Sequence, residues 1–225
     1  MMPAAGMAAA LGRAMHEVDR GVSETTAPDA VEQERAQLFA LLARLLSAAP
    51  DEDLLQRLSG LGQGDHAAPL GRALARLAES AAAVPSAAAA EREYFALFIG
   101  VGRGELLPYA SYYRTGFLHD RPLAELRGDL ARLGIARAPG VPDPEDHIAF
   151  LCETYAGLLD GTLGPADPAS PPGAAPEFLA RHMRPWAGRF FADLEAAEAA
   201  RFYRAVGALG RLAIEIEEAA AELPA

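Results

Sequence analysis

The sequence predicts an all-α protein that forms a single helical bundle rather than an α/β sheet. Apolar residues recur at three- and four-residue spacing along most of the chain, which is the period of an amphipathic helix. Several prolines stand where the first turn of a helix tolerates them, and no stretch alternates apolar and polar residues over more than a few positions. With 225 residues, 51% of them hydrophobic, the chain is long enough to bury one large core.

The helices of the first half follow from this spacing. Apolar residues from Val31 to Leu46 form one stripe, and Asp29 with Glu32 forms a capping box, so the first helix is predicted to begin at Asp29. The same reasoning predicts helices over 51–58, 69–83 and 91–99, a glycine turn at 60–64, and a glycine terminator at Gly100, Gly102 and Gly104.

Prolines mark the helix starts in the middle of the chain. Pro108, Pro122 and Pro144 are each predicted to open a helix, and these helices run to Tyr113, Leu133 and Leu159. In the C-terminal part, apolar side chains recur at every fourth position from Phe178 to Leu194, and the pattern continues to Ile216. Pro185 is predicted to kink or restart this helix.

These elements divide the chain into four parts. Residues 1–28 are predicted to be a disordered or fraying extension, and residues 29–163 a helical domain with a functional groove. Residues 164–176 are rich in proline and alanine and are predicted to be a linker or hinge, followed by C-terminal helices over 177–223 that pack on the same core. Such a linker leaves open a homodimer in which two chains exchange these helices.

Composition excludes several classes of function. The formal net charge of -11 disfavours nucleic acid and anionic membranes as partners. The sequence contains no lysine, which excludes Schiff-base chemistry and the lysine of a phosphate-binding P-loop. No run approaches the roughly 20 apolar residues that cross a bilayer, so we expect no membrane insertion. Cys152 is the only cysteine, which fits a cytoplasmic protein without an intrachain disulfide.

Neither a metal nor another cofactor is expected. The five histidines, at positions 16, 66, 119, 147 and 182, lack the spacing and the carboxylate neighbours of a helical metal site. His182 is interpreted as a core histidine with a hydrogen bond, and Cys152 as a small core residue. The glycines of 100–104 follow a helix instead of a strand, so they are interpreted as a helix terminator and not as a nucleotide-binding loop.

Two segments carry the candidate functional residues. The first holds four hydroxyl groups within five residues, at Tyr109, Ser111, Tyr112 and Tyr113. Since an unpartnered buried hydroxyl costs about 1–3 kcal/mol, some of these groups should line a solvated groove.

The second segment is the acidic run from Asp143 to His147. Helix capping explains much of it, because Asp143 suits an N-cap, Pro144 a first helical position, and Glu145 and Asp146 the first turn. Capping does not require His147, whose pKa should be lowered at a helix N-terminus. On composition alone, a binding role and a purely capping role are equally supported.

In combination these segments resemble the TorD/DmsD family of cytoplasmic redox-enzyme maturation chaperones. The resemblance rests on Tyr94-x-x-Leu97-Phe98, Pro108-Tyr-x-Ser-x-Tyr113, Asp143-Pro-x-Asp-His147 and Phe178-Leu-x-x-His182-x-x-Pro185-Trp186, followed by Phe202-Tyr203. Departures are Ala110, where an acidic residue is common, and Leu151, where a glutamate is common.

The resemblance implies an all-helical chaperone, not an enzyme. Its partners would be the twin-arginine signal peptide and the apo-form of a molybdopterin oxidoreductase subunit, whose export is delayed until the cofactor is inserted. The signal-peptide site implied in this way consists of Phe98, Tyr109, Ser111, Tyr113, Asp143, Glu145, Asp146 and His147. Carboxylates such as Asp146 would pair with guanidinium groups, and aromatic residues would cover the apolar part of the peptide.

Two alternatives remain from the residues themselves. A helical adaptor or regulatory protein would bind a folded partner without requiring a signal peptide. A small hydrolase would use Asp146 and His147 as acid and base, although the sequence offers no nucleophile with an oriented base.

Overall fold

The computed structural model describes residues 30–63, 67–138, 140, 142–164 and 173–221. Within these ranges the regular structure is helical, and its only β-type pairing is an isolated antiparallel bridge between Tyr109 and His147. The predicted all-α class is therefore confirmed. The extension 1–28 and most of the linker 164–176 lie outside the described residues, so the predicted domain boundaries and the helix exchange stay predictions.

Ten α-helices lie within the described ranges. In chain order they are α1 (Ala30–Ser47), α2 (Glu52–Ser59), α3 (Pro69–Ala82), α4 (Ala87–Tyr94), α5 (Ala110–Thr115), α6 (Arg121–Arg132), α7 (Ile148–Leu159), α8 (Ala174–Phe178), α9 (Ala187–Ala196) and α10 (Phe202–Ala221). A 3₁₀ turn (Gly60–Gln63) follows α2, and π-helical turns extend α4 (Phe95–Ile99) and α8 (Leu179–Met183).

The core forms where α1 packs on α7 and where α10 packs on α9 and α3. Its largest enclosed side chains include Phe39, Tyr155, Phe190, Phe191 and Tyr203. Both tyrosine hydroxyls have partners, because Tyr203 donates to the Leu45 carbonyl (3.1 Å) and Tyr155 to Glu217 (2.5 Å). The helices after the linker therefore share one core with the helices before it.

A partly buried ion pair fixes α10 against α1 and α7. Arg35 donates through two nitrogens to the carboxylate of Glu217, and its third contact is the hydroxyl of Tyr155 at 3.0 Å. The Glu217 side chain is almost fully enclosed. The sequence did not indicate this cluster. Arg35 lies more than a hundred residues before Tyr155 and Glu217, and two helices, α8 and α9, separate Tyr155 from Glu217.

The interpretations of His182 and Cys152 as core residues agree with the structure. His182 is buried, and its Nε2 lies 2.7 Å from Asp129 Oδ2. Burial lowers the pKa of His182, and the hydrogen bond and charge of Asp129 only partly oppose this effect. Cys152 is fully buried, and burial raises the pKa of its thiol. No helix in the described ranges is long and apolar enough to cross a membrane.

The glycine loop after α4 folds back on the π-helical turn. The amides of Glu105 and Leu106 donate to the carbonyls of Ala96 (3.1 Å) and Leu97 (2.8 Å), so the loop runs against the turn that precedes it. A Cβ on Gly104 would lie 2.5 Å from the carbonyl carbon of Phe98, so only glycine fits there without a backbone shift. The predicted role of these glycines as a helix terminator is consistent with this geometry.

Candidate functional site

The two predicted segments meet in space. The amide of Ala110 donates to the Asp146 carbonyl (3.0 Å), and the amide of Ile148 donates to the Pro108 carbonyl (2.9 Å). We call this pairing of residues 108–111 with 143–148 the junction. It brings Tyr109, Ser111, Asp143, Asp146 and His147 together, although more than thirty residues separate the two segments.

The junction also changes where two helices begin. Tyr109 and His147 are both extended because their backbones pair, so α5 starts at Ala110 instead of Pro108 and α7 starts at Ile148 instead of Pro144. The prediction that Asp143 is the N-cap of α7 is wrong. His147 is the N-cap, and its Nδ1 accepts the amide of Ala149 at 3.1 Å.

Asp146 and Ser111 form the inward side of the junction. Asp146 is only 1% exposed, and its Oδ2 accepts the backbone amide of Ser111 (2.8 Å) at the start of α5. A negative charge is favourable there because it faces the positive end of the helix dipole. Asp146 Oδ1 and the Ser111 hydroxyl oxygen have no hydrogen-bond partner among the described residues. Asp146 therefore supports the fold from a position that is closed to solvent.

Asp143 and Tyr109 form the outward side of the junction. The Tyr109 hydroxyl donates to Asp143 Oδ1 at 2.8 Å, and Asp143 is exposed. Burial, and secondly the hydrogen bond to Asp143, raise the pKa of Tyr109 well above its usual value, so this hydroxyl stays a neutral donor. The second oxygen of Asp143 remains a candidate acceptor for a ligand.

His147 lies between the two sides. Its ring packs edge-on against Tyr109, with 5.1 Å between ring centroids. Burial lowers the pKa of His147, and the nearby charges of Asp143 and Asp146 only partly oppose this effect. A neutral ring whose Nδ1 accepts a hydrogen bond carries its proton on Nε2. The lowered pKa that the sequence predicted has the expected direction, but burial is its main cause.

Glu145 points away from this arrangement toward α6. It forms ion pairs with Arg127 (2.8 Å) and Arg137 (3.8 Å). Burial alone would raise the pKa of Glu145, but the hydrogen bond and charge of Arg127 outweigh it and lower the pKa. Glu145 thus holds the acidic segment 143–147 against α6, and its carboxylate already pairs with arginines of the same chain.

An open groove of about 660 Å³ runs along the outward side of the junction. We call it the acidic groove. One wall is the end of α1 and the turn after it, a second is α4 with its π-helical turn, and the third is the junction. The lining includes Ser47, Pro50, Asp51, Ala87, Ala88, Glu91, Tyr94, Phe95, Phe98, Ile99, Tyr109, Asp143 and His147.

The charge of the groove is negative. Its lining contains the carboxylates of Asp51, Glu91 and Asp143 and no arginine. Asp51 also caps α2 by accepting the amide of Leu54 at 2.8 Å. Glu91 and Asp143 are exposed, so a cationic ligand can reach them from solvent. Carboxylates in this setting are suited to guanidinium groups, which they bind through paired hydrogen bonds.

Apolar surface lies next to these charges. Phe95 is 43% exposed and Ile99 is 53% exposed, both on the π-helical turn. Phe98 packs edge-on against Tyr94 with 5.0 Å between centroids, and the Tyr94 hydroxyl donates to the Leu46 carbonyl at 3.2 Å. Burial, with a smaller contribution from Asp143, raises the pKa of Tyr94 to about 12. π-helical turns occur often at functional sites, and this one exposes apolar side chains beside an acidic wall.

Tyr113 does not line the acidic groove. Its hydroxyl donates to Asp193 Oδ2 at 3.0 Å, and its ring packs beside Trp186 and Phe190. Tyr113 and Tyr112 line a separate groove, which shares no lining residue with the acidic one. Of the predicted site residues, the acidic groove therefore contains Phe98, Tyr109, Asp143 and His147; it does not contain Ser111, Tyr113, Glu145 or Asp146.

Several groove residues were not assigned to the site from the sequence. These are Asp51, Glu91, Tyr94, Phe95 and Ile99. Glu91, Phe95 and Ile99 recur at four-residue spacing and so share one helix face, which the spacing alone could indicate. That this face is exposed is visible only in the structure. Asp51 carried no such signal, since its capping role already explains an aspartate at that position.

Comparison with known proteins shows which family the chain belongs to. A family model described as nitrate reductase delta subunit matches residues 63–192, which is more than half of the chain. This chain belongs to that family. It is also 28% identical over 145 residues to the chaperone protein TorD of Aliivibrio fischeri, an alignment that spans 58% of this chain and 66% of the relative.

Among solved structures, the chain is similar to a protein from Archaeoglobus fulgidus that is described as a redox enzyme maturation protein. The TM-score is 0.55 at 19% identity, and the match covers 89% of this chain and 99% of that one, which shows a common fold. The family model and the TorD relative confirm the resemblance to the TorD group. The family and the names of these relatives support a TorD-like redox enzyme maturation chaperone, and the TorD relative is named a chaperone protein.

The described residues contain no group of three or more His, Cys, Asp or Glu side chains arranged to hold a metal ion. The acids of the groove instead stand on separate walls, where they face the open space between α1, α4 and the junction.

Proposed function

We propose that this chain is a chaperone that holds the twin-arginine signal peptide of an immature oxidoreductase subunit in the acidic groove. The observation that carries the proposal is the composition of that groove, in which three carboxylates and no cation stand beside exposed Phe95 and Ile99. A leader with adjacent arginines followed by an apolar stretch is complementary to both features. The molybdopterin class of the client is inferred from the TorD/DmsD resemblance.

Charge alone is too weak to hold such a leader. An exposed arginine–carboxylate pair contributes about 0.2–1 kcal/mol, whereas micromolar binding needs about 8 kcal/mol. Most of the binding free energy must therefore come from apolar contact, at about 25 cal/mol per Å² removed from water and before ordering costs. Phe95, Phe98 and Ile99 supply this contact, while Asp143 and Glu91 orient the arginines.

The predicted site residues then divide into two roles. We propose that Asp143, Tyr109, His147 and Phe98 contact the leader directly. Asp146 is closed to solvent, so its proposed role is to hold α5 and the junction in place. This replaces the expectation that Asp146 binds a guanidinium group. Since a leader must be bound before export, we place the chaperone in the cytoplasm.

A peptide titration tests the proposal. The probe is a synthetic leader with two adjacent arginines and an apolar stretch, titrated calorimetrically into the full chain. We expect saturable binding that weakens about tenfold in a double Asp143→Asn, Glu91→Gln variant, because two charge-assisted contacts are lost. Phe95→Ala should weaken binding by about tenfold as well, since it removes exposed apolar surface of the groove.

Glu34→Gln provides the matched control. It removes one negative charge from an exposed position on α1, about 20 Å along the helix from the groove. Affinity should stay unchanged in this variant, and a leader with glutamines in place of its arginines should bind weakly to the parent chain. Equal affinity of the parent and both groove variants would remove the acidic groove from leader recognition.

The alternatives make different predictions. An adaptor would capture a folded partner equally well with and without its leader. The hydrolase gains no support from the geometry, because the Asp146 carboxylate is enclosed and bonded to a backbone amide while Nδ1 of His147 caps α7.

A further inference from the structure

A second groove lies where the glycine loop, α5 and α9 meet. It has a volume of about 380 Å³ and is here called the basic groove. Two neighbouring tyrosines, Tyr112 and Tyr113, form one wall, with Leu106 and Leu107 beside them. The proposed leader site does not use this groove.

Arginines dominate the charge of this groove. Arg103, Arg114 and Arg189 line it and are all exposed. The guanidinium of Arg103 lies over the Tyr112 ring (5.9 Å) and that of Arg189 over the Tyr113 ring (5.5 Å). In the described part of the chain, neither Arg103 nor Arg189 forms an ion pair with a carboxylate. Arg114 has only a long contact to Glu125, at 3.7 Å.

The two acids that line the groove accept hydrogen bonds from other parts of the chain. Glu105 accepts the backbone amides of Glu198 (2.6 Å) and Ala199 (3.0 Å), and Asp193 accepts the hydroxyl of Tyr113 (3.0 Å). These contacts hold the acids in place as parts of the wall. Three arginines against two carboxylates leave the groove with one unit of positive charge, in a chain whose formal net charge is -11.

We propose that the basic groove binds a single carboxylate of an acidic polypeptide segment through Arg103 and Arg189. The planar guanidinium matches a carboxylate with two parallel hydrogen bonds, and the tyrosine rings beneath both arginines keep the forks oriented. One unit of excess positive charge balances a carboxylate but not a phosphate that carries several charges. The rings of Tyr112 and Tyr113 and the side chains of Leu106 and Leu107 offer contact to the apolar part of a peptide.

This inference is independent of leader binding in the acidic groove and is tested without a leader. The probe is a labelled hexapeptide, acetyl-Leu-Glu-Ala-Glu-Leu-Ala-amide, whose binding to the full chain is followed by fluorescence anisotropy. The comparison peptide has glutamine in place of both glutamates. We expect the acidic peptide to bind at least about tenfold more tightly, since only it offers carboxylates to the guanidinium groups.

Variants locate the site. Arg103→Gln and Arg189→Gln together should lower the affinity for the acidic peptide about tenfold, and either exposed residue alone should lower it measurably. Arg204→Gln is the matched control, because Arg204 is exposed on α10 and does not line the groove. Thermal unfolding of each variant separates lost binding from lost folding.

Three results would overturn the proposal. Equal binding of the two peptides to the parent chain would exclude a carboxylate site. Binding of the acidic peptide by the Arg103→Gln and Arg189→Gln variants with the affinity of the parent chain would place the site elsewhere. Displacement of the acidic peptide by inorganic phosphate at a lower concentration than by the unlabelled peptide would identify a small-anion site instead of a polypeptide site.

Discussion

The acidic and basic grooves differ in charge although one short segment contributes to both. Tyr109 lines the acidic groove and bonds to Asp143, while Tyr113 lines the basic groove and bonds to Asp193. The lining of the first groove contains three carboxylates and no arginine, although Arg137 donates to the backbone carbonyl of Asp143 (2.6 Å). In the lining of the second groove the arginines outnumber the carboxylates. The comparison teaches that overall charge does not describe the binding surface of this chain, because each groove sets its own local sign.

The two grooves also share their support. The glycine loop joins the π-helical turn of the acidic groove to Arg103 and Glu105 of the basic groove. The inward side of the junction holds α5, which carries Tyr112 and Tyr113. Changes in this shared support should therefore affect both grooves, whereas changes in the walls should affect only one.

Gly104→Ala should have the largest effect. The new Cβ would lie 2.5 Å from the carbonyl carbon of Phe98 and 2.6 Å from the carbonyl oxygen of Leu97, so the backbone of the loop must move. We expect a loss of about 3 kcal/mol in the free energy of unfolding, at the upper end of overpacking costs. Binding of both probe peptides should weaken. Urea unfolding and the two titrations measure these effects.

Gly128→Ala is the control for this substitution. A Cβ at Gly128 meets nothing within 4 Å, and Gly128 lies inside the exposed face of α6. Alanine there should raise the free energy of unfolding by about 0.5–1 kcal/mol, because a helix interior favours alanine over glycine. If Gly104→Ala were as stable as the parent, the glycine loop would not support either groove.

Asp146→Ala should have the next largest effect. It removes the acceptor for the buried Ser111 amide and the negative charge at the start of α5, at a cost of about 1–3 kcal/mol in the free energy of unfolding. Asp146→Asn keeps an oxygen that can accept this amide, so it should lose less stability than the alanine variant. Chemical unfolding of the parent, the Asp146→Asn variant and the Asp146→Ala variant checks that stability decreases in this order. A larger loss of stability in Asp146→Asn than in Asp146→Ala would contradict the assigned role.

The sequence predicted the helices better than it predicted the junction. Local spacing was sufficient for α3 and α6, whose observed bounds lie within one residue of the predicted ones. It failed at Pro108 and Pro144, where a proline fits a first helical turn. There Tyr109 and His147 pair with each other in extended conformation, and each helix begins only after its paired residue. Pairing between distant segments is not visible in local spacing.

The same limit explains which site residues were placed well. Asp143 and Asp146 are three residues apart and chemically identical, so the sequence could not distinguish the exposed carboxylate from the enclosed one. Their difference arises from what the junction covers. Arg103 and Arg189 come from a loop and a helix far apart in the chain, so no local motif indicated the basic groove.

The pH dependence that His147 contributes should be the smallest effect. It sharpens the comparison of the two grooves, because His147 lines only the acidic one. Burial lowers the pKa of His147 in the folded chain below its usual value of 6.5. Below about pH 6.5 the unfolded chain therefore binds more protons than the folded chain, so the free energy of unfolding falls as the pH falls. The contribution of neutral His147 to the free energy of unfolding is fully present above the pKa that His147 has in the unfolded chain. It is lost as the pH falls through the lowered pKa of the folded chain.

His147→Asn isolates this contribution, because asparagine can also cap α7 but does not titrate. Between about pH 7 and about pH 5 the parent should lose more stability than the variant, and the contribution of His182, which is present in both, cancels in the difference. Protonation of His147 also adds a positive charge to the lining of the acidic groove, so acidification should weaken the leader in the parent more than in the variant. The acidic hexapeptide in the basic groove should respond equally in both proteins. Identical pH profiles of stability for parent and variant would mean that His147 does not carry a lowered pKa in the folded chain.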